Sequence, residues 1–209
     1  MTRLILASAS PRRGDLLNRL GFLFETIPSG VSEALDAPLP PEQHVLEIAL
    51  RKARSVASRT SDAIVIAADS VVVVQNTILE KPRDAGHAVA MLTMLSGETH
   101  QVFTGLVLVN TLTGRTHSDV AVTQVKMRDL SAEEIDRYVA TGDPLDKAGA
   151  YAVQGLSAVF IESISGCFYN VVGLPLTKFW SLLHASAGES PWAFISPGVT
   201  APDLLGQNT

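Results

Sequence analysis

"LILASASPRR", residues 4–13, joins a short apolar run to the start of a helix. The run predicts a buried strand, and the Ser10-Pro11 pair supplies the residue types favoured at the N-cap and first position of a helix. A strand that leads directly into a helix is typical of an α/β fold. Arg12 and Arg13 follow in the first helical turn, where the helix dipole disfavours each cation by about 0.3–1 kcal/mol.

Two arginines at a helix start have a use if the turn binds an anion. The first backbone N–H groups of a helix point at such a ligand, and the guanidinium groups of Arg12 and Arg13 would strengthen the site. Ser8 and Ser10 are candidate hydrogen-bond donors to a phosphate there. The alternative is that both arginines extend into solvent or pair with Asp15, since a misplaced surface charge costs little.

Strand-like and helix-like segments alternate along the rest of the chain. Periodicity and capping residues predict helices over 11–20, 41–58, 84–95, 131–142 and 175–184. Apolar or alternating runs predict strands over 4–7, 22–27, 63–68, 71–74, 101–110, 116–127, 157–164 and 167–172. The early runs lack polar alternation, as in buried parallel strands, whereas 101–110 and 116–127 have the pattern of antiparallel strands. The whole pattern predicts an α/β fold.

Length and composition limit the class of protein. A chain of 209 residues with 46% hydrophobic residues can form one domain of two lobes, or two small domains. The apolar runs are far shorter than the ~20 residues of a membrane span, and no signal peptide is predicted, so a cytoplasmic protein without a membrane partner is expected. A net charge of −5 argues against general nucleic-acid binding. The single cysteine, Cys167, is predicted to be a buried thiol. Residues 1–187 are predicted to form the domain, and residues 188–209 are predicted to form a poorly ordered tail.

Lys52 and Asp69 are a second pair of unusual charged residues. Counting in helical steps from Val45 places Lys52 on the apolar face of its helix, where an ammonium group needs a partner such as a phosphate. The alternative is a lysine whose tip reaches solvent at the edge of that face. Asp69 follows the buried run 64–68, and ligands of α/β sheets bind beside the carboxyl ends of strands.

If the strands at 4–7 and 63–68 are parallel neighbours, Asp69 and the arginines face one cleft. Glu33, Glu80 and Lys81 are candidates to join them, because a divalent cation prefers carboxylate oxygens beside substrate phosphates. Each of these three residues, taken alone, is more simply explained as a polar residue near a turn.

Several common catalytic motifs are absent from the sequence. The chain has no G-x-x-x-x-G-K-[ST], G-x-G-x-x-G, G-x-S-x-G or H-E-x-x-H, which excludes P-loop, Rossmann, serine-hydrolase-elbow and zincin motifs. A nucleotidyltransferase is a rival interpretation of the strand-loop-arginine opening, but such enzymes need a glycine-rich loop that S-A-S-P-R-R lacks.

Six ordered motifs resemble those of one family. They are S-x-S-P-R-R at 8–13, A-A-D-S-V-V-V at 67–73, E-K-P at 80–82, S-G-x-x-H-x-V-x-T-G at 96–105, D-K-A-G-A-Y-x-x-Q-G at 146–155 and N-V-V-G-L-P at 170–175. Together they resemble the Maf family of nucleoside triphosphate pyrophosphatases, also described as septum-formation inhibitors, over about residues 3–184.

The resemblance implies a fold, a reaction and roles for named residues. The implied fold is two-lobed, with a long mixed central sheet flanked by helices as in inosine triphosphate pyrophosphatase, and with the site in the cleft between the lobes. The implied reaction converts a nucleoside triphosphate and water to a monophosphate and pyrophosphate with Mg²⁺ or Mn²⁺, in a cytoplasmic homodimer. Motif positions make Asp69 the catalytic acceptor, Glu33 and Asp69 the metal carboxylates, and Arg12, Arg13, Lys52 and Lys81 triphosphate ligands.

The motifs also imply a branch of the family. P-R-R without an inserted aromatic residue, together with the loop that contains Asp146, Lys147 and Gln154, resembles the branch that acts on dTTP and UTP. Ser70 stands where that branch is expected to have threonine, and both are small hydroxyl residues. Gln154 could read a pyrimidine edge through its amide. The alternatives are the branch for 7-methyl-GTP and a nucleotide-sensing regulator of septum formation that acts through a protein partner.

Overall fold

A computed structural model describes residues 2–198 and folds them around one seven-stranded mixed sheet flanked by helices. The strands are β1 (Arg3–Leu6), β2 (Phe24–Thr26), β3 (Ala63–Val74), β4 (Thr77–Leu79), β5 (Thr99–Asn110), β6 (Thr116–Met127) and β7 (Ile161–Ser165). The α-helices are α1 (Pro11–Arg19), α2 (Pro41–Ala57), α3 (Ala85–Leu95), α4 (Ala132–Ala140), α5 (Phe168–Val172) and α6 (Leu176–Ala187). The predicted α/β class is confirmed, and none of the described helices is long and apolar enough to cross a membrane.

The sheet is parallel at one end and antiparallel at the other. Its order is β2-β1-β3-β5-β6-β7, with β4 paired to β3 off this path. β1 pairs in parallel with both β2 and β3, which confirms that the strands at 4–7 and 63–68 are neighbours. β3, β5, β6 and β7 pair in antiparallel fashion.

One edge of the long strand β3 has no partner among the described strands at the centre of β3. β1 pairs with β3 only as far as Ile66, and β4 pairs with it only from Val72. Between these two partners, residues 67–71 are paired on one edge alone, to β5. The sequence predicted that a strand ends before Asp69, whereas β3 continues through it, so Asp69 lies where one edge of a continuous strand is left open.

Alternation along β3 sends successive side chains to opposite faces of the sheet. The odd-numbered Val65 and Ala67 pack with Ala49 and Ala53 of α2. The even-numbered Ile64, Ile66 and Ala68 pack instead with α1 and α6, in the core that includes Leu17, Phe179 and Leu183. Asp69 therefore belongs to the α2 face, and Ser70 belongs to the face of α1 and α6.

A second core lies at the far end of β3. There Val72 and Val74 pack with α3 and α4, with Tyr138 of α4 and Tyr151 among the buried side chains. α4 begins at the predicted capping box, in which Ser131 accepts from the Glu134 backbone and Glu134 accepts from the Ser131 backbone. This core forms one lobe of the domain, the clusters against α1, α2 and α6 form the other, and the open segment 67–71 lies between them.

One predicted strand is wrong in part and a second is wrong entirely. Residues Leu156–Phe160 form a 3₁₀ helix before β7, after Gly155 adopts a φ of 90°. The run predicted as a strand over 167–172 is helix α5, which ends at Gly173 with a φ of 114°. Positive φ angles at glycines end or turn the chain where the apolar content alone favours a strand.

Two predictions about the C-terminal third also need correction. Cys167 is only partly buried, because it lies just before α5, next to the exposed Phe168. The predicted tail is ordered in its first part, since Pro191–Phe194 form a 3₁₀ helix, Phe194 is buried in the core, and Ile195 bridges to Phe22. Residues 199–209 of that prediction lie outside the described residues.

Candidate active site

A cleft of about 490 Å³ lies between the two lobes, beside the open segment of β3. Its size is within the usual range of small-molecule sites. The cleft brings together every site residue predicted from the sequence, which are Ser8, Ser10, Arg12, Arg13, Glu33, Lys52, Asp69, Ser70, Lys81, Asp146, Lys147 and Gln154. Five of them are basic, on a chain whose net charge is negative.

Lys52 joins two carboxylates at the bottom of the cleft. Its Nζ lies 2.7 Å from Asp69 Oδ1 and 2.6 Å from Glu33 Oε1. Lys52 and Asp69 are both buried, so the predicted position of Lys52 on the apolar helix face is confirmed, and its partners here are carboxylates. Burial acts to raise the pKa of Glu33, but the hydrogen bond and charge of Lys52 outweigh it, and the pKa is lowered.

Arg13 is a buried cation whose direct partners are all neutral. Its Nε donates to the Gly173 carbonyl at 2.8 Å, Nη1 to Ser8 Oγ at 3.2 Å and Nη2 to Ser70 Oγ at 3.1 Å. Burial lowers the pKa of the guanidinium, although an arginine stays protonated. Among the described residues no carboxylate forms an ion pair with Arg13, so its charge is available to an anionic ligand.

The other side of the cleft holds a second network of charges. Arg12 Nη1 lies 3.3 Å from Asp146 Oδ2, and Lys147 Nζ contacts both Asp146 Oδ1, at 2.7 Å, and Asp143 Oδ1, at 3.0 Å. Burial raises the pKa of Asp146, but the bond to Lys147 outweighs it and the net shift is downward. Arg12 therefore pairs across the cleft with the second lobe, and the alternative in which the arginines pair with Asp15 is wrong.

The remaining predicted residues lie along the cleft with fewer contacts. Ser8 Oγ accepts from Arg13 and from the Ser10 backbone N–H, which leaves its own hydroxyl hydrogen free to donate to a ligand. Ser10 is the N-cap residue of α1 by position but makes no side-chain cap bond. Lys81 is exposed, 3.6 Å from Glu33, and Gln154 is an exposed residue of the second lobe.

Some residues of the cleft were not predicted as site residues. His44 is one of them, and its Nε2 lies 3.3 Å from Oε1 of Glu80, a predicted candidate that also lines the cleft. A signal for His44 existed in the sequence, because it lies two i+4 steps before Lys52 on the same helix face. Gly173 and Tyr151 also line the cleft, and each lies inside one of the six family motifs, although neither was among the predicted site residues.

The Tyr151 hydroxyl contacts a buried histidine that does not line the cleft. Tyr151 Oη and His100 Nε2 are 2.6 Å apart, and the two rings pack edge to face with centroids 5.3 Å apart. Burial raises the pKa of the Tyr151 phenol and lowers the pKa of His100 to about 4. His100 is therefore neutral in the folded protein near pH 7.

Acid should destabilise the protein through His100. An unfolded histidine titrates near 6.5, so between about pH 6.5 and pH 4 the unfolded chain binds a proton that the folded chain does not. The free energy of unfolding should then fall by about 2 kcal/mol between pH 7 and pH 5. Urea unfolding of the wild type and of His100→Gln at both pH values measures this. The variant should show a smaller loss, and equal losses in the two proteins would contradict the assignment.

The acidic residues of the cleft fit a cation that binds together with phosphates. Within residues 2–198 there is no group of three or more His, Cys, Asp or Glu side chains arranged to hold a metal alone. Mg²⁺ needs fewer protein ligands than three, since one or two carboxylates together with waters and substrate phosphates complete its coordination shell. Glu33 and Asp69 converge on one point, which Lys52 Nζ occupies.

Comparison with known proteins gives the same family as the motifs. The family model described as "Maf-like protein" matches residues 3–186. A dTTP/UTP pyrophosphatase of Alkaliphilus metalliredigens is 48% identical over 185 residues, which cover 88% of this chain and 96% of that protein. A dTTP/UTP pyrophosphatase of Salmonella typhimurium is 47% identical over 184 residues, covering 88% and 92%.

Among solved structures, a HAM1 protein from Coxiella burnetii matches with a TM-score of 0.40 and 15% identity, over 61% of this chain and 73% of that one. The family match covers nearly all of the described domain, and the relatives align over almost their whole length. The chain belongs to the Maf family.

Proposed function

We propose that this protein hydrolyses dTTP and UTP to the nucleoside monophosphate and pyrophosphate. The observation that carries the proposal is the cleft itself, in which five basic side chains line the same space as Asp69 and, among residues 2–198, the buried Arg13 has no carboxylate partner. A triphosphate is the common small ligand with enough negative charge for such a set. Relatives at 47–48% identity are named dTTP/UTP pyrophosphatases, which supports the choice of substrate.

In the proposed reaction, a water attacks the α-phosphorus and the bond to the bridging oxygen of the β-phosphate breaks. Asp69 orients this water and accepts its proton. One carboxylate oxygen of Asp69 already accepts from Lys52, which leaves Oδ2 for the water. The buried position of Asp69 keeps bulk water from competing for that oxygen.

The cations stabilise the charge that develops on the leaving pyrophosphate. Arg13 offers a guanidinium held by three bonds, so little reorganisation is needed when the substrate binds. Arg12 and Lys81 would exchange their carboxylate partners for phosphate oxygens, and Lys52, which has three N–H donors, would bind a phosphate oxygen while it keeps its bond to Asp69. Glu33 and Asp69 would hold Mg²⁺ or Mn²⁺, which supplies further charge stabilisation to the phosphates when bound.

The proposed choice of pyrimidine depends on the second lobe. Gln154 is exposed at the cleft and its amide can both donate to and accept from a pyrimidine edge. The proposal also includes a cytoplasmic homodimer without a nucleic-acid partner, as the family resemblance implies. Light scattering after size exclusion tests the dimer.

A substrate screen tests the proposed function directly. Purified protein with Mg²⁺ is offered dTTP, UTP, CTP, GTP, ITP and 7-methyl-GTP, and pyrophosphate and orthophosphate are measured separately. We expect pyrophosphate from dTTP and UTP, with turnover of the other nucleotides at least about tenfold lower. Turnover of 7-methyl-GTP alone would assign the protein to the 7-methyl-GTP branch of the family. Binding of nucleotide without any turnover would favour the regulatory function.

A further inference from the structure

A chain of hydrogen bonds leads from Ser70, a partner of Arg13, into the core and away from the cleft. Thr104 of β5 is the register partner of Ser70 in β3 and is fully buried. The two hydroxyl oxygens are 2.8 Å apart, and Thr104 Oγ1 also donates to the Asn170 carbonyl at 3.3 Å. Thr104 itself does not line the cleft.

All three bonds form together only when they run in one direction. Because the Thr104 hydrogen goes to the Asn170 carbonyl, Thr104 Oγ1 acts as the acceptor toward Ser70. Ser70 then uses its hydrogen for Thr104 and keeps a lone pair for the N–H of Arg13 Nη2. Each hydroxyl is a donor to one neighbour and an acceptor from the other, and such chains polarise one another.

The far end of the chain is anchored in the core. Asn170 is fully buried, and its side-chain nitrogen donates to the Val102 carbonyl and to Thr123 Oγ1, at 2.9 and 3.0 Å. The carbonyl that receives the Thr104 hydrogen is therefore held by the sheet itself. The guanidinium of Arg13 is connected through two hydroxyls to a rigid part of the protein.

We propose that Thr104 is a positioning residue for the reaction, which acts through Ser70 to set the orientation of the Arg13 guanidinium toward the phosphates. The inference rests on the proposed function of the cleft. It also gives Ser70 a role at the phosphates, because its hydroxyl is engaged on both sides by Thr104 and Arg13. Without the Thr104 hydroxyl, Ser70 can rotate and donate elsewhere, and one of the three bonds that hold Arg13 is lost.

Thr104→Val tests the proposal, since it keeps the side-chain shape and removes the hydroxyl. We expect kcat/KM for dTTP with Mg²⁺ to fall about tenfold. Thr104→Ser restores the hydroxyl and should recover most of the activity. Thr111→Val is the matched control, because Thr111 also makes hydroxyl bonds, to the backbone of Ala63, but lies outside the cleft lining. It should lose no activity.

A double-mutant cycle with Arg13→Lys separates positioning from a general loss of structure. A lysine cannot make the three directed bonds, so Thr104→Val should reduce kcat/KM no further in that background. If the tenfold loss persists in the Arg13→Lys background, or if Thr104→Val alone has no effect, Thr104 does not act through Arg13.

Binding of inorganic pyrophosphate gives a readout that does not need turnover. Calorimetry should show about tenfold weaker binding to Thr104→Val than to the wild type, with Thr104→Ser close to the wild type. If the wild type releases no pyrophosphate from any nucleotide, the proposed function fails, and this measurement still decides the role of Thr104. Equal binding by the wild type and Thr104→Val, or no binding by either, would overturn it.

Discussion

Asp69→Asn should lower kcat for dTTP by about 10³-fold while the protein stays folded and still binds the nucleotide. General-base catalysis contributes about 10²–10⁴-fold, and asparagine removes the basic oxygen without changing the size of the side chain. The asparagine Oδ1 can still accept from Lys52, and Lys52 keeps Glu33 as its counter-ion. The buried ammonium is thus not left without a partner.

Three measurements on Asp69→Asn test this expectation. Rapid quench under single turnover measures the chemical step, calorimetry with dTTP measures binding, and thermal unfolding measures stability. Asp136→Asn, at an exposed position of α4, is the matched control and should match the wild type in all three. A rate within tenfold of the wild type for Asp69→Asn would show that Asp69 is not the acceptor. A large loss of stability would show that its main role is to pair with Lys52.

The positions of Lys52 and Asp69 could be predicted because both signals are local, but their pairing was not predicted, since a phosphate was the expected partner of Lys52. A lysine in phase with the apolar residues of a helix points inward, and an acid that directly follows a buried apolar run lies where ligands of α/β sheets bind. Two parallel neighbouring strands then bring the helix start at Arg12 and the acid together. Elementary periodicity is enough to assemble that much of the site.

The surroundings of Arg13 could not be predicted in this way. Its Nε acceptor, the Gly173 carbonyl, is 160 residues away, and the Ser70–Thr104 contact depends on the register between β3 and β5. Register follows from the packing of whole strands and not from any short stretch of sequence. The same holds for α5, where buried bonds from Asn170 and the left-handed Gly173 favour a helical turn in a run rich in residues that prefer strands.

Gly105 is where the fold and the site depend on the same contact. It pairs with Asp69 across β3 and β5, and α2 crosses the sheet directly above it. A Cβ built on Gly105 would lie 2.5 Å from the Val45 carbonyl oxygen and 2.8 Å from the Leu46 backbone nitrogen. Only glycine lets α2 approach this closely, and α2 carries Lys52 to Asp69.

Gly105→Ala should therefore lower the free energy of unfolding by about 3 kcal/mol, because backbone atoms cannot move aside as a flexible side chain can. Any variant that folds should also lose most of its activity, since α2 must shift away from the sheet and Lys52 with it. Gly14→Ala in α1 is the control: its Cβ would meet only the Phe24 ring at 4.0 Å, and alanine favours a helix. Urea unfolding compares the two. If Gly105→Ala is as stable and as active as the wild type, close packing of α2 at this point does not position the site.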